Sequence, residues 1–138
     1  TDIIIMQKQK EAQLHGLYFI QRFLFPDHGS LPAYDISIIL NNVLSNAMEA
    51  AASSREKKVS IQSKMRNDIY FIEVKNSFDG ILKIDEESGL PEISRNAEDG
   101  HGYGLQNVKK AVERYFGAVN IVQEDNEVRV SLMMVIPA

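Results

Sequence analysis

The stretch Asp35-Ile36-Ser37-Ile38-Ile39-Leu40-Asn41-Asn42-Val43-Leu44-Ser45-Asn46-Ala47-Met48-Glu49-Ala50-Ala51-Ala52-Ser53 decides the fold. Ile36, Ile39, Leu40, Val43, Leu44, Ala47, Ala50 and Ala51 recur at i, i+3, i+4 and i+7, which predicts a helix with one apolar face. Asp35 is the expected N-cap, and Ser53, Ser54 and Arg55 end the helix. Opposite the apolar face, Asp35, Asn42, Asn46, Glu49 and Ser53 share one narrow polar stripe. Asn is a poor helix residue, because its amide competes for nearby backbone groups. Two of them one turn apart cost on the order of 1 kcal/mol relative to Ala. Two readings fit: an Asn oxygen facing a hard cation such as Mg²⁺, which needs one side-chain ligand when phosphate oxygens supply the rest, or a solvated stripe. On this helix alone the solvated stripe is the stronger.

Outward from this helix, the chain is punctuated at regular intervals. Ile3 to His15 is rich in helix formers and stops at Gly16. Leu17 to Phe25, with its aromatic and β-branched residues, reads as a strand, and Pro26 to Pro32 as a turn. Val59 to Met65 and Ile69 to Asn76 read as two strands joined by the turn Arg66-Asn67-Asp68. Ser77 to Gly102 is a long polar stretch, of a length that is usually functional or mobile. Gly104 to Phe116, closed by Gly117, is a helix with Leu105, Val108, Val112 and Tyr115 as its buried stripe. Val119 to Gln123 and Val128 to Ile136 form a closing hairpin across Glu124 to Glu127. Paired strands with few helices predict an α+β fold. It is a two-layer α/β sandwich: a mixed, largely antiparallel sheet with its helices on one face.

Composition narrows the function classes. With 138 residues the chain is one domain, able to bury about two-thirds of its unfolded surface. A formal net charge of -4 argues against nucleic acid as a partner. There are no cysteines, which removes disulfides, thiolate metal sites and cysteine nucleophiles. No apolar run approaches the ~18 residues of a membrane span, and Thr1 to Glu11 lacks a signal-peptide layout, so the expected compartment is cytosolic. A start at Thr instead of Met suits a piece of a longer chain.

Two further motifs carry chemistry. Gly100-His101-Gly102-Tyr103-Gly104-Leu105 places three alternate glycines at the mouth of a helix, where free N–H groups and a positive dipole end suit phosphate. It is neither the dinucleotide fingerprint nor a P-loop. Asn76-Ser77-Phe78-Asp79-Gly80-Ile81 follows a strand directly; an amide there can hydrogen-bond a base edge, or the run is an ordinary turn. Taken singly, each motif is weak.

In order along one chain the three are more specific. They resemble the ATP-binding domain shared by sensor histidine kinases, gyrase-type topoisomerases, gyrase-like heat-shock chaperones and MutL-type repair proteins, the Bergerat-type ATP-binding fold. Ile39 to Ala51 is similar to the N box of peptide-sensing histidine kinases. The resemblance covers Asp35 to Ala138 well and Lys8 to Phe25 more weakly.

The resemblance implies ATP and Mg²⁺ as cofactors, with Asn46 as the metal ligand and Asn42 at the phosphates or their water. Asn42 stands where hydrolytic relatives carry a Glu base, and an amide cannot accept that proton, which favours phosphoryl transfer. Gly100, Gly102 and Gly104, followed by Leu105 and Asn107, match the second glycine box, and Asp85 to Asp99 the lid. Asn76, Phe78 and Gly80 stand where the first glycine box usually reads DxGxG, so the base meets an uncharged acceptor and an aromatic ring. His15 and His28 read as ordinary helix-end and surface residues and His101 lies in the glycine box; Arg95, Lys109 and Lys110 are cations that either meet the phosphates or face solvent, the latter being the commoner state of Lys and Arg on a helix.

By resemblance, residues 1–15 end a linker helix and residues 16–138 form the catalytic domain. The phosphoacceptor histidine then lies on a dimerisation domain of the same protein, a homodimer in full length. A response regulator is the next partner, and the domain is the cytoplasmic part of a membrane-anchored receptor. Two alternatives stay open: a pseudo-kinase docking or dimerisation module, and an anti-sigma-type serine kinase or ATPase of the same fold.

Overall fold

A computed structural model describes residues 2–26, 32–91 and 104–136. The order is α1 (Asp2–Leu14), β1 (Tyr18–Arg22), α2 (Ala33–Ala52), β2 (Lys58–Arg66), β3 (Ile69–Ser77), α3 (Gly104–Glu113), β4 (Ala118–Glu124) and β5 (Glu127–Val135). The five strands form one sheet in the order β1-β2-β3-β5-β4. β1 runs parallel to β2, and every other pairing is antiparallel. The expected mixed, largely antiparallel α+β architecture is what the chain adopts.

Strand alternation decides which face is covered. Tyr70, Ile72 and Val74 on β3, and Val128, Val130, Leu132 and Met134 on β5, are buried beneath the helices. The residues between them face outward, where Gln62 Nε2 donates to Glu73 Oε1 at 2.8 Å and Lys75 pairs with Glu73 at 3.5 Å. Ile36, Ile39, Leu40, Val43, Leu44, Ala47 and Ala51 bury the apolar face of α2. α1 adds Ile5 and Ala12, and Lys8 Nζ donates to Ser45 Oγ on α2 at 2.9 Å.

Four details depart from the sequence reading. Pro32, not Asp35, occupies the N-cap of α2, with no side-chain cap bond. Asp35 lies in the first turn, buried; Arg114 Nη2 donates to its Oδ1 at 2.9 Å and the Tyr115 hydroxyl donates to its Oδ2. The first strand is shorter than Leu17 to Phe25: beyond Arg22 the chain takes side chains for partners. Leu24 N donates to Ser63 Oγ at 2.8 Å, and the carbonyl of Leu24 accepts from Ser63 Oγ at 2.9 Å and from Tyr70 Oη at 2.5 Å. The hairpin turn after Arg66 is the two residues Asn67 and Asp68, with Asn67 at φ 56°. Finally, α3 ends through Phe116 at φ 55°, while Gly117 serves a close approach: a Cβ there would stand 1.8 Å from the Met133 carbonyl oxygen.

Candidate functional site

α2 and α3 lie antiparallel against each other. The start of α3 meets the middle of α2, and the residues just past its end meet Asp35 near the start of α2. Gly104 is buried beneath the Asn stripe, and a Cβ on it would come within 3.2 Å of both Asn42 Oδ1 and Asn46 Nδ2. Glycine is therefore what lets the α3 N-terminus approach the two amides. Asn42 Nδ2 donates to the Ile38 carbonyl at 2.9 Å, which turns Oδ1 outward from the helix. Asn46 is half-buried and has no hydrogen-bond partner among the described residues. The stripe is thus split: Asn42 and Asn46 are half-buried at the α3 contact, while Glu49 and Ser53 are exposed.

Beside the amides the core is incomplete. A cavity of about 480 Å³, counting its open mouth, lies between α2 and the sheet. Ala47 and Ala50 on α2 leave it room, and Val43, Leu105, Ile121, Val128 and Val130 make its walls apolar. Among the described residues, its polar side chains are Asn46 and Asn76. This is the layout of a small-molecule site: apolar walls with few placed polar groups. Asn76, at the end of β3, is 5% exposed and donates from Nδ2 to the Ser77 carbonyl at 3.1 Å. That bond fixes the amide and leaves Oδ1 as an acceptor with no partner among the described residues.

The segment after β3 closes one side. Phe78 and Leu82 line the cavity, and the Phe78 ring packs so close to Gly80 that a Cβ there would meet it at 2.9 Å. Ser77 is anchored through a 2.6 Å contact between its Oγ and Ser54 Oγ, and Asp79 Oδ2 accepts from Arg55 N at 2.8 Å. Further on, Ile84 bridges Pro91, Asp85 N donates to the Leu90 carbonyl at 2.8 Å, and Lys109 Nζ donates to the Ser88 carbonyl at 2.8 Å. Lys109 is therefore engaged with backbone, and Lys110 is exposed.

Among the residues singled out from sequence, Asn42, Asn46, Asn76, Gly80, Gly104 and Leu105 come together here. Asn107 does not: it is exposed and off the cavity. Gly100, Gly102, His28, His101, Arg95 and the lid beyond Pro91 lie outside the described residues. His15 is exposed in the turn after α1. Sequence reasoning missed the alanines that open the cavity, although Ala47 and Ala50 stand where a fully packed helix would carry Leu or Ile.

A family model described as the GHKL domain matches residues 31–136, most of the chain. The chain belongs to the GHKL family. GHKL domains bind ATP, generally with Mg²⁺. A relative in Bacillus subtilis (strain 168) named as a probable C4-dicarboxylate sensor kinase is 27% identical over 104 residues, 70% of this chain. The match is 18% of that relative's length, so this GHKL chain corresponds to one part of it. The fold is that of histidine kinase catalytic domains. The catalytic domain of histidine kinase ThkA superposes with a TM-score of 0.78 at 20% identity, over 98% of this chain and 89% of that one. The mycobacterial sensor histidine kinase MprB gives 0.70 at 14% identity, over 98% and 95%. No helix among the described residues of this GHKL domain is long and apolar enough to cross a membrane.

Proposed function

We propose that this GHKL domain is the catalytic domain of a sensor histidine kinase, binding Mg-ATP and passing the γ-phosphoryl group to a histidine on a dimerisation domain. The observation that carries the reading is Gly104 packed under Asn42 and Asn46 at an apolar cavity lined by Asn46 and Asn76. The donor set fits the cofactors. The cavity suits a flat base, Asn76 Oδ1 accepts from an exocyclic amino group, and the Gly104 end of α3 supplies N–H groups to phosphate. Among the described residues no three His, Asp or Glu side chains come together as a metal cage. Asn46, sharing a cation with phosphate oxygens, is the donor this arrangement provides. Bound Mg²⁺ supplies charge neutralisation at the transferring phosphoryl group.

Asn42 has Nδ2 committed to Ile38, so it presents an acceptor oxygen to phosphate-bound water and removes no proton. This supports transfer to a partner over hydrolysis. The chain's own contribution is then positioning. In this reading α1 is the end of a linker helix. The full protein is a homodimer, its receptor anchored in a membrane, and a response regulator accepts the phosphoryl group next. The N-box likeness supports a peptide sensor, and the name of the relative a C4-dicarboxylate sensor; the catalytic domain serves either.

Calorimetric titration with a non-hydrolysable ATP analogue, with and without Mg²⁺, tests the reading beside Asn46→Ala. Mg²⁺-dependent binding that weakens at least tenfold in the variant is expected, about 1.4 kcal/mol. A wild-type chain that binds no nucleotide would refute it.

A further inference from the structure

The segment that walls the cavity is held from across the sheet by one side chain. Gln123 on β4 bridges it twice: Nε2 donates to the Gly80 carbonyl at 2.7 Å, and Oε1 accepts from Leu82 N at 2.7 Å. The side-chain amide thus pairs with the segment as a neighbouring strand's peptide would, at the outer edge of the sheet, where β4 has no further strand among the described residues. Phe78 is held separately, its N–H donating to the Asn126 carbonyl at 2.8 Å, and Leu82 packs partly buried against the core, so Gln123 supplies the hydrogen bonds at Gly80 and Leu82. Ile81, between the two bonded groups, is 87% exposed, so its burial contributes no hold. The anchors at Ser77 and Asp79 lie upstream, and the Ile84–Pro91 bridge downstream. Phe78 and Leu82 are the cavity-lining side chains of this segment, and Leu82 carries one of the two groups that Gln123 grips.

We propose that Gln123 is the positioning residue that sets the base-side wall of the cavity, so that selection of the nucleotide base depends on a side chain that does not line the pocket. The proposal rests on the nucleotide reading above. Without these two hydrogen bonds, Gly80 to Leu82 moves away from the sheet, Leu82 leaves the cavity and the Phe78 ring loses its packing against Gly80, so a bound base loses part of an apolar wall while its phosphates keep the Gly104 end of α3. The effect therefore falls on the base and spares the triphosphate.

The experiment compares the 138-residue chain with Gln123→Leu and Gln123→Glu. Mg-ATP and Mg-GTP affinities are measured by calorimetry, and exchange of the Leu82 amide hydrogen by NMR. Gln123→Leu should weaken ATP about tenfold, bring the ATP-to-GTP ratio towards one and deprotect the Leu82 amide, at a thermal midpoint close to wild type. Gln123→Glu keeps the acceptor for Leu82 N and loses the donor for Gly80, so it should fall between the two. Equal loss of ATP and GTP affinity, or an unchanged ratio in Gln123→Leu, overturns the proposal and leaves the nucleotide site standing. A wild-type chain that binds neither nucleotide overturns the nucleotide reading and this proposal with it.

Discussion

Replacing Gly104 with Ala separates folding from ligand binding. The backbone at Gly104 is not left-handed, so alanine fits its conformation. The added Cβ would stand 3.2 Å from Asn42 Oδ1 and from Asn46 Nδ2, tighter than ordinary contact by a few tenths of an ångström. Asn42 is pinned to the Ile38 carbonyl, so Asn46, which has no such bond, is the side chain that turns. Better helix propensity, up to about 1 kcal/mol, offsets a crowding cost of similar size, and stability should stay within about 1 kcal/mol of wild type. Turning Asn46 displaces its oxygen, and Mg²⁺-dependent nucleotide affinity should fall about tenfold, ~1.4 kcal/mol. Gly117→Ala is the contrast. There the Cβ would meet the Met133 carbonyl oxygen at 1.8 Å and Val112 Cγ1 at 2.7 Å, and the backbone atom cannot yield. That variant should lose about 3 kcal/mol or more. Urea unfolding reads the stabilities and calorimetry with and without Mg²⁺ reads the binding. Wild-type Mg²⁺-dependent affinity in Gly104→Ala would refute the assignment of the Asn pair.

Three further outcomes follow from the same contacts. Asp35→Ala removes the acceptor of Arg114 and Tyr115; because Arg114 is half exposed, the loss should be modest, about 1–2 kcal/mol, seen as a lower urea midpoint at unchanged slope. Desolvation pushes both Tyr70 and Tyr115 up to about 12, the latter also through its bond to Asp35. Their folded-state values lie above the unfolded value near 10, so the stability they add is complete below about pH 10 and is lost as pH rises towards 12. Tyrosinate absorbance should show these two ionising only near pH 12, and their ionisation near pH 10 would count against the burial argument. Asn76→Asp sets a carboxylate against the Ser77 carbonyl in a position 5% exposed, so stability should drop by about 1–3 kcal/mol in urea, and an unchanged midpoint would contradict the pinned amide.

Much of the fold is legible in the sequence because periodicity is a local record of burial. The apolar stripe from Ile36 to Ala51 and the alternation from Val128 to Ile136 each mark a face that the structure buries. What escaped depends on distant partners. Asp35 looks like a cap from its neighbours, but its hydrogen bonds reach residues 79 and 80 positions away. The early end of β1 follows from Ser63 and Tyr70 satisfying Leu24. The Asn amides and Gly104 are visible as motifs. Gln123 is not, since a strand glutamine carries no signal until its amide is seen on Gly80 and Leu82.

The cavity beside Ala47 and Ala50 sets two demands on the same volume. Side chains large enough to complete the core would strengthen the empty chain and bar the ligand. In the nucleotide reading, the small residues leave room for an occupant, and resistance to unfolding should rise with ligand concentration. A screen for hardier variants would therefore tend to select against binding at these two alanines, and heat resistance alone would be a misleading guide to a functional domain.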